Sequence, residues 1–175
     1  QGWFIFLLIS GILVFLEVKN FLLFHLGVEL FSIIIAGSIF IIVINTKEIA
    51  ENDYLLFLGV AYGFIGGVDL LHTVTYKGMG VIEAGSNLPT QLWIAARYLE
   101  SFCLVGSFFY LDHSLKLQRT IIIFTVISLL LINSIFLGYF PDCFVAETGL
   151  TLFKIISEYI IIGLLLLAIW LLRYY

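Results

Sequence analysis

Residues 21–44 read FLLFHLGVELFSIIIAGSIFIIVI, and the only ionisable side chains among them are His25 and Glu29. A helix needs about 20 predominantly apolar residues to cross the hydrocarbon core of a bilayer. This run is long enough, and it ends at the polar sequence NTKE at residues 45–48. We therefore predict a membrane-spanning helix here. Its two ionisable residues become the first candidates for a functional role.

The composition of the whole chain agrees with this prediction. Of its 175 residues, 62% are hydrophobic and 11% are charged, and the mean hydropathy is +1.17. A soluble domain is about half apolar and a quarter charged. The alternating pattern of a membrane β-barrel is missing from the sequence. The formal net charge is −4 and there is no basic run, so we expect a lipid bilayer as partner and no nucleic acid.

Apolar runs separated by polar breaks predict an all-α, polytopic membrane protein. We expect a single domain over residues 1–175, built as a bundle of six transmembrane helices. Pro89 suits the first position of a helix, where its missing N–H costs nothing. The predicted spans are residues 3–16, 21–44, 54–72, 89–111, 118–137 and 149–172.

Six spans place both termini on one side of the membrane. Lysine and arginine are enriched on the cytoplasmic side of membrane proteins, so their distribution predicts the orientation. We expect the N- and C-termini to be cytoplasmic and the long polar segment of residues 73–88 to lie outside. The basic residues on the terminal side are Lys47, Lys116, Arg119 and Arg173, against Lys19 and Lys77 in the opposite loops.

Apart from Arg119 at the inner end of the fifth span, eight charged or imidazole side chains fall within the predicted spans. Such a group in hydrocarbon is costly unless it is paired or faces a polar cavity. Within each helix the spacing is i, i+3 or i, i+4, which places both members on one face. The topology puts all of them in the outer half of the second, third, fourth and sixth helices, so we expect one polar pocket there. The residues are His25, Glu29, Asp69, His72, Arg97, Glu100, Lys154 and Glu158.

The first four of these residues can be interpreted in two ways. Two imidazoles and two carboxylates from two helices suit a divalent metal ion, Zn²⁺ or a non-haem iron or manganese ion. Alternatively they form a hydrogen-bond and ion-pair network in which Asp69 holds Arg97 or Lys77. Haem between His25 and His72 is the weaker third possibility. The sequence lacks the HExxH and CxxC motifs that would favour a metal more strongly.

A second group of residues is predicted to bind a ligand in the same pocket. Trp93 lies one turn before Arg97 and would wall the pocket through a cation–π contact. The segment around Tyr76 and Lys77 is either a lid over the pocket or an ordinary ordered loop. In the network interpretation Glu158 would hold Lys154 on one face of the sixth helix. Gly63, Gly66 and Gly67 are predicted to allow close helix packing. The predicted ligand-binding residues are Trp93, Arg97, Glu100, Tyr76, Lys77 and Asn87.

Helices two to four carry several specific motifs: FH at residues 24–25, ELFS at 29–32, FLGVAY at 57–62, DLLHT at 69–73, YKGM at 76–79 and QLWIAARYLES at 91–101. Together these motifs resemble the third family of membrane-associated sensor domains. That resemblance implies the N-terminal input module of a prokaryotic histidine kinase or diguanylate cyclase, in the plasma membrane and without catalysis of its own. It also implies a homodimer and a cytoplasmic output domain after Tyr175 in the same polypeptide. In such a module we predict that Lys154 and Glu158 relay the signal along the sixth helix.

Two other functional classes fit the same pocket. One is a membrane metalloenzyme in which Glu29 or Asp69 acts as general base beside an ion. The other is a redox protein that binds haem or a quinone. The sensor interpretation leads because it also accounts for the motifs outside the ionisable residues.

Overall fold

The computed structural model describes residues 2–47 and 52–175. Within these ranges most of the chain is helical, which confirms the all-α class. A short 3-10 helix, Phe108–Leu111, extends the fourth helix, and an antiparallel hairpin of two short strands precedes the sixth. The helices are α1 Gly2–Lys19, α2 Phe21–Thr46, α3 Asp53–Thr75, α4 Asn87–Ser107, α5 Leu117–Phe136 and α6 Leu152–Tyr174; the strands are β1 Phe144–Val145 and β2 Gly149–Leu150.

Five helices, α2 to α6, are long and apolar enough to cross a membrane. The helix α1 is not one of these five within the described residues, so a count of six spans stays a prediction. Large apolar side chains are exposed along the outward faces of the bundle, as in Phe31, Leu130 and Leu166. An apolar face of this kind can lie against lipid tails at no cost, because lipid tails are as apolar as the side chains of a protein interior.

The helices α3 and α4 form the centre of the bundle. The helix α3 packs against α2, α4 and α5, and α4 also packs against α6. Val60, Ala61 and Ile65 of α3 are buried, as are Leu92 and Ala96 of α4. The charged and imidazole residues of α3 and α4 therefore lie on the two most buried of the five candidate spans.

Glycines on one face of α3 allow α2 to approach closely. A Cβ built at Gly63 would lie 2.5 Å from the Phe40 ring, and one at Gly66 would lie 3.0 Å from the Cβ of Ala36. Gly59 faces Val43 in the same way. The packing role predicted for Gly63 and Gly66 agrees with these contacts. Gly67 was assigned that role wrongly, because a Cβ there would meet no atom within 4 Å.

One end of the bundle, here called the loop end, carries the segment 76–86 and the β1–β2 hairpin. Gly78 and Gly80 adopt positive φ angles of 100° and 68° in that segment, which only glycine does without strain. The helix α6 begins at Leu152, three residues later than predicted, because Thr151 caps it and residues 149–150 pair in the hairpin. The helices α2, α4 and α6 start at the loop end and α3 ends there.

Asn87 fastens the hairpin to α4. Its side-chain oxygen accepts hydrogen bonds from the backbone N–H groups of Cys143 and Phe144, at 2.8 and 3.0 Å. Its amide nitrogen donates to Asp142 Oδ1 at 2.7 Å. All of its polar atoms thus have partners in the chain, and this residue, predicted to bind a ligand, has a structural task.

We expect Asn87→Ala to weaken the attachment of the β1–β2 hairpin to α4 by a free energy of about 1–3 kcal/mol, because two backbone N–H groups lose their acceptor. The Cys143 thiol is fully buried, and burial together with the nearby Asp142 carboxylate raises its pKa to about 11. Iodoacetamide should therefore react slowly with Cys143 in the native chain near pH 8 and much faster in the variant. Mass spectrometry measures both rates, and Cys103, buried in α4, is the internal control. Equal rates at Cys143 would contradict this role.

The raised pKa of Cys143 predicts that the stability of the fold depends on pH. A thiol with a raised pKa stabilises the fold below the pKa of the unfolded chain, about 8.5, and loses that contribution as the pH rises through about 11.

Candidate functional site

An ion cluster joins α3 to α4 near the loop end. Arg97 donates from Nη2 to Asp69 Oδ2 at 2.5 Å and from Nη1 to Glu100 Oε2 at 2.6 Å. The Tyr62 hydroxyl lies 3.5 Å from Glu100 Oε1. The Asp69 side chain is 8% exposed and that of Glu100 is 20% exposed. In a poorly solvated site, the carboxylates of Asp69 and Glu100 stay charged because each lies next to the guanidinium of Arg97.

Helical spacing explains why these groups meet. Arg97 and Glu100 are three residues apart on α4, and Tyr62 and Asp69 are seven apart on α3, so each pair shares a face. The facing sides of α3 and α4 bring the two pairs together. The Asp69–Arg97 pair is one of the two pairings that the network interpretation allowed for Asp69.

A second cluster lies beside the first, between α2 and the end of α3. The rings of His25 and His72 have centroids 5.5 Å apart, and Tyr76 packs on His25 at 3.9 Å. The Glu29 Oε1 atom is 3.8 Å from His72 Nε2. One ligand atom from each of His25, Glu29 and His72 lies within 4.8 Å of the others. Asp69, the fourth predicted metal ligand, is paired with Arg97 and is not a member of this group.

A hydrogen bond from Nδ1 fixes the tautomer of the His72 ring. His72 Nδ1 lies 2.8 Å from the carbonyl oxygen of Pro89. A carbonyl can only accept, so Nδ1 carries the proton and a neutral ring leaves a lone pair on Nε2. Among the described residues, buried polar atoms without a hydrogen-bond partner include Nε2 of His25 and of His72, Oδ1 of Asp69 and Nε of Arg97. Buried polar atoms of this kind are rare and call for an explanation.

Three cavities surround these clusters. The central cavity, about 300 Å³, lies between α2, α3 and α4. The lateral cavity, about 460 Å³, lies between α4 and α6 and is mostly apolar. The outer cavity, about 530 Å³, opens at the loop end beside His72, Tyr76 and Lys77. Trp93 and Arg97 line both the central and the lateral cavity, so they form a shared wall.

The helix α6 meets this wall through an ion pair. Lys154 Nζ lies 2.7 Å from Glu158 Oε1, and it lies 5.6 Å from the centre of the Trp93 ring. Glu158 also lines the lateral cavity. Of the two residues predicted to relay a signal, Lys154 therefore lies over the tryptophan that borders the central cavity, and Glu158 is joined to it through Lys154. The cation over Trp93 is Lys154, and not Arg97 as the sequence suggested.

The remaining predicted residues lie around the clusters. Tyr76 covers His25, and Lys77 is exposed at the rim of the outer cavity. Sequence reasoning missed Tyr62 and Ser32, which line the central cavity. Tyr62 carried a usable signal, because it lies two helical turns before Asp69.

These observations define the class: a helical, polytopic membrane protein whose central helices hold a buried polar site. The model of the family MASE3, membrane-associated sensor domain, matches residues 16–175. The chain therefore belongs to this family of membrane sensor domains, as its motifs indicated. No curated protein and no solved structure matched the chain.

Proposed function

We propose that this chain is a sensory input domain that binds a ligand in the central cavity and passes the signal through α6. In this proposal it spans the plasma membrane of a prokaryote six times, with both termini cytoplasmic. It acts as a homodimer, and α6 leads to a histidine kinase or diguanylate cyclase in the same polypeptide. The domain itself has no catalytic role. Membership of a membrane sensor family supports the sensory part of the proposal.

The observation that carries the proposed signal route is the shared wall of the two cavities. A ligand in the central cavity would contact Trp93 or Arg97 directly, and the same side chains face α6. Movement of Trp93 would displace Lys154, which lies over its ring, and with it the Lys154–Glu158 pair. One side chain, that of Trp93, therefore connects the proposed ligand site with Lys154 of α6.

The charges of the central cavity indicate what kind of ligand it favours. It is lined by the carboxyl groups of Glu29, Asp69 and Glu100 and by one guanidinium, that of Arg97. Counted as ionised, these groups leave an excess of negative charge in a poorly solvated site. A positively charged ligand would offset that excess, since opposite charges interact strongly where water is scarce.

The proposed switch requires two arrangements of the wall with different affinities for the ligand. A ligand shifts the balance only by its differential affinity for the two. Coupling free energies of 1–3 kcal/mol are usual in such systems and correspond to about 5–150-fold changes.

We expect Asp69→Asn to change the basal output of the full-length sensor protein by about fivefold or more. The substitution releases part of Arg97 from α3 and so alters the shared wall. In a background of Lys154→Met with Glu158→Gln, the same substitution should have little further effect, because the contact with α6 is lost. The output measured is autophosphorylation or cyclic dinucleotide synthesis, and Arg119→Gln, an exposed change on α5, is the control. Equal effects of Asp69→Asn in both backgrounds would contradict the route through Lys154 and Glu158.

A further inference from the structure

We infer that His25, Glu29 and His72 bind a divalent transition-metal ion, with Zn²⁺ as the best-fitting occupant. This inference deepens the proposed function, since the ion would be the positively charged ligand or a part of it. Metal binding can nevertheless be measured without any signalling output.

The separations of the ligand atoms suit such an ion. Tetrahedral zinc with bonds of about 2.0–2.1 Å holds its ligand atoms roughly 3.3–3.5 Å apart. Glu29 Oε1 and His72 Nε2 are already 3.8 Å apart, and all three ligand atoms lie within 4.8 Å of one another. Each ligand atom would have to move by about an ångström to reach the separations that tetrahedral zinc requires.

His72 has the orientation that a metal-binding histidine requires. Metal-binding histidines usually donate their second ring N–H to a carbonyl or carboxylate, which fixes the ring and directs the other nitrogen at the metal. The Nδ1–H of His72 donates to Pro89, and Nε2 faces Glu29. The residue is 4% exposed, and Nε2 has no hydrogen-bond partner. A buried, oriented and unpaired lone pair is costly unless something binds it.

His25 offers a second imidazole to the site. Its Nε2 is buried without a hydrogen-bond partner, and its ring is held between Phe21 and Tyr76. Two imidazoles beside one carboxylate favour zinc and its transition-metal neighbours over Ca²⁺ and Mg²⁺, which prefer oxygen ligands.

The charge balance and the position of the site support the same occupant. The formal excess in the central cavity is two negative charges, from the carboxylates of Glu29, Asp69 and Glu100 less the guanidinium of Arg97. A divalent ion would neutralise it. His72 lines the outer cavity at the loop end, and Glu29 lines the central cavity, so the proposed site lies between the two cavities.

The test is a calorimetric titration of the purified chain in lipid nanodiscs with Zn²⁺, after treatment with a chelator. We expect one zinc ion per chain and a loss of affinity of roughly 100-fold or more in His25→Ala and in His72→Ala, since even outer partners of metal ligands cost 10–100-fold. His113→Ala is the matched control, because the third histidine lies beyond α4 at the opposite end of the bundle. Asp69→Asn should retain zinc within about tenfold, because Asp69 is paired with Arg97 and would lose only an outer charge.

Two additions keep the test decisive. Glu29→Gln preserves volume and hydrogen bonding, so circular dichroism should show a folded chain while zinc affinity falls as in the histidine variants. Co²⁺ in place of Zn²⁺ should give the visible absorption of a low-coordinate nitrogen and oxygen site in the native chain only. The inference fails if the native chain binds no zinc or if affinity is unchanged in His25→Ala and His72→Ala. It also fails if the purified chain shows the absorption spectrum of haem. These outcomes would leave the route through Trp93 untouched, since its test uses no metal.

Discussion

Replacing Arg97 with methionine is expected to destabilise the bundle by about 3–5 kcal/mol, the usual cost of removing one partner from a buried ion pair. The substitution keeps the approximate length of the side chain but removes both donors to Asp69 and Glu100. Two carboxylates would then remain in a site with little water. The measurement is thermal or denaturant unfolding of the chain in detergent micelles, compared with the unsubstituted chain.

A matched control and a rescue separate this effect from a loss of packing. Arg119→Met removes an exposed guanidinium from α5 and should change stability by less than about 0.5 kcal/mol. Adding Asp69→Asn and Glu100→Gln to Arg97→Met should restore a large part of the loss, because the unpaired charges disappear. If Arg97→Met were as stable as the native chain, the cluster would not be the buried network described above.

The second large effect is expected at the α2–α3 contact. A Cβ at Gly59 would lie 2.6 Å from Val43 Cβ, an atom next to the backbone that cannot turn away. We expect Gly59→Ala to force the helices apart and to cost about 1–3 kcal/mol. Because Glu29 and His72 face each other across the same interface, zinc affinity should fall as well.

Gly67→Ala is the matched control on the same helix. A Cβ there meets open space, and alanine lowers the flexibility of a helix interior relative to glycine. This change should stabilise the chain by about 0.5–1 kcal/mol. Opposite signs at positions 59 and 67, measured by the same unfolding assay, are the expected result. Destabilisation of equal size at both positions would mean that packing against α2 is not the reason for these glycines.

The sequence predicted the class of fold and the family, because long apolar runs specify the helices and the motifs specify the family. A charge in hydrocarbon is costly, so the charged side chains were expected to pair. For Lys154 and Glu158 the spacing of four residues indicated the pair that the structure shows. For Asp69 the sequence left Arg97, Lys77 and a metal ion as possible partners, and the structure pairs it with Arg97.

Contacts between distant parts of the chain were harder to predict. Asn87 bonds to residues 142–144, and no local pattern at Asn87 reveals partners so far along the sequence. The β1–β2 hairpin is too short to show a strand pattern, so residues 149–151 were assigned to the sixth helix. Gly67 was assigned wrongly to the helix contact and Gly59 was not assigned to it, because spacing alone does not say which side of α3 faces α2.

The central claim is that α6 detects a change in the central cavity through Trp93. The most direct measurement is fluorine NMR of the chain labelled with 5-fluorotryptophan, whose three signals report on Trp3, Trp93 and Trp170. With Asp69→Asn as the perturbation, the account predicts shifts of the Trp93 and Trp170 signals, and of the Trp93 signal alone once Lys154→Met and Glu158→Gln are added. A Trp170 signal that stays fixed in the Asp69→Asn chain while the Trp93 signal moves would contradict it.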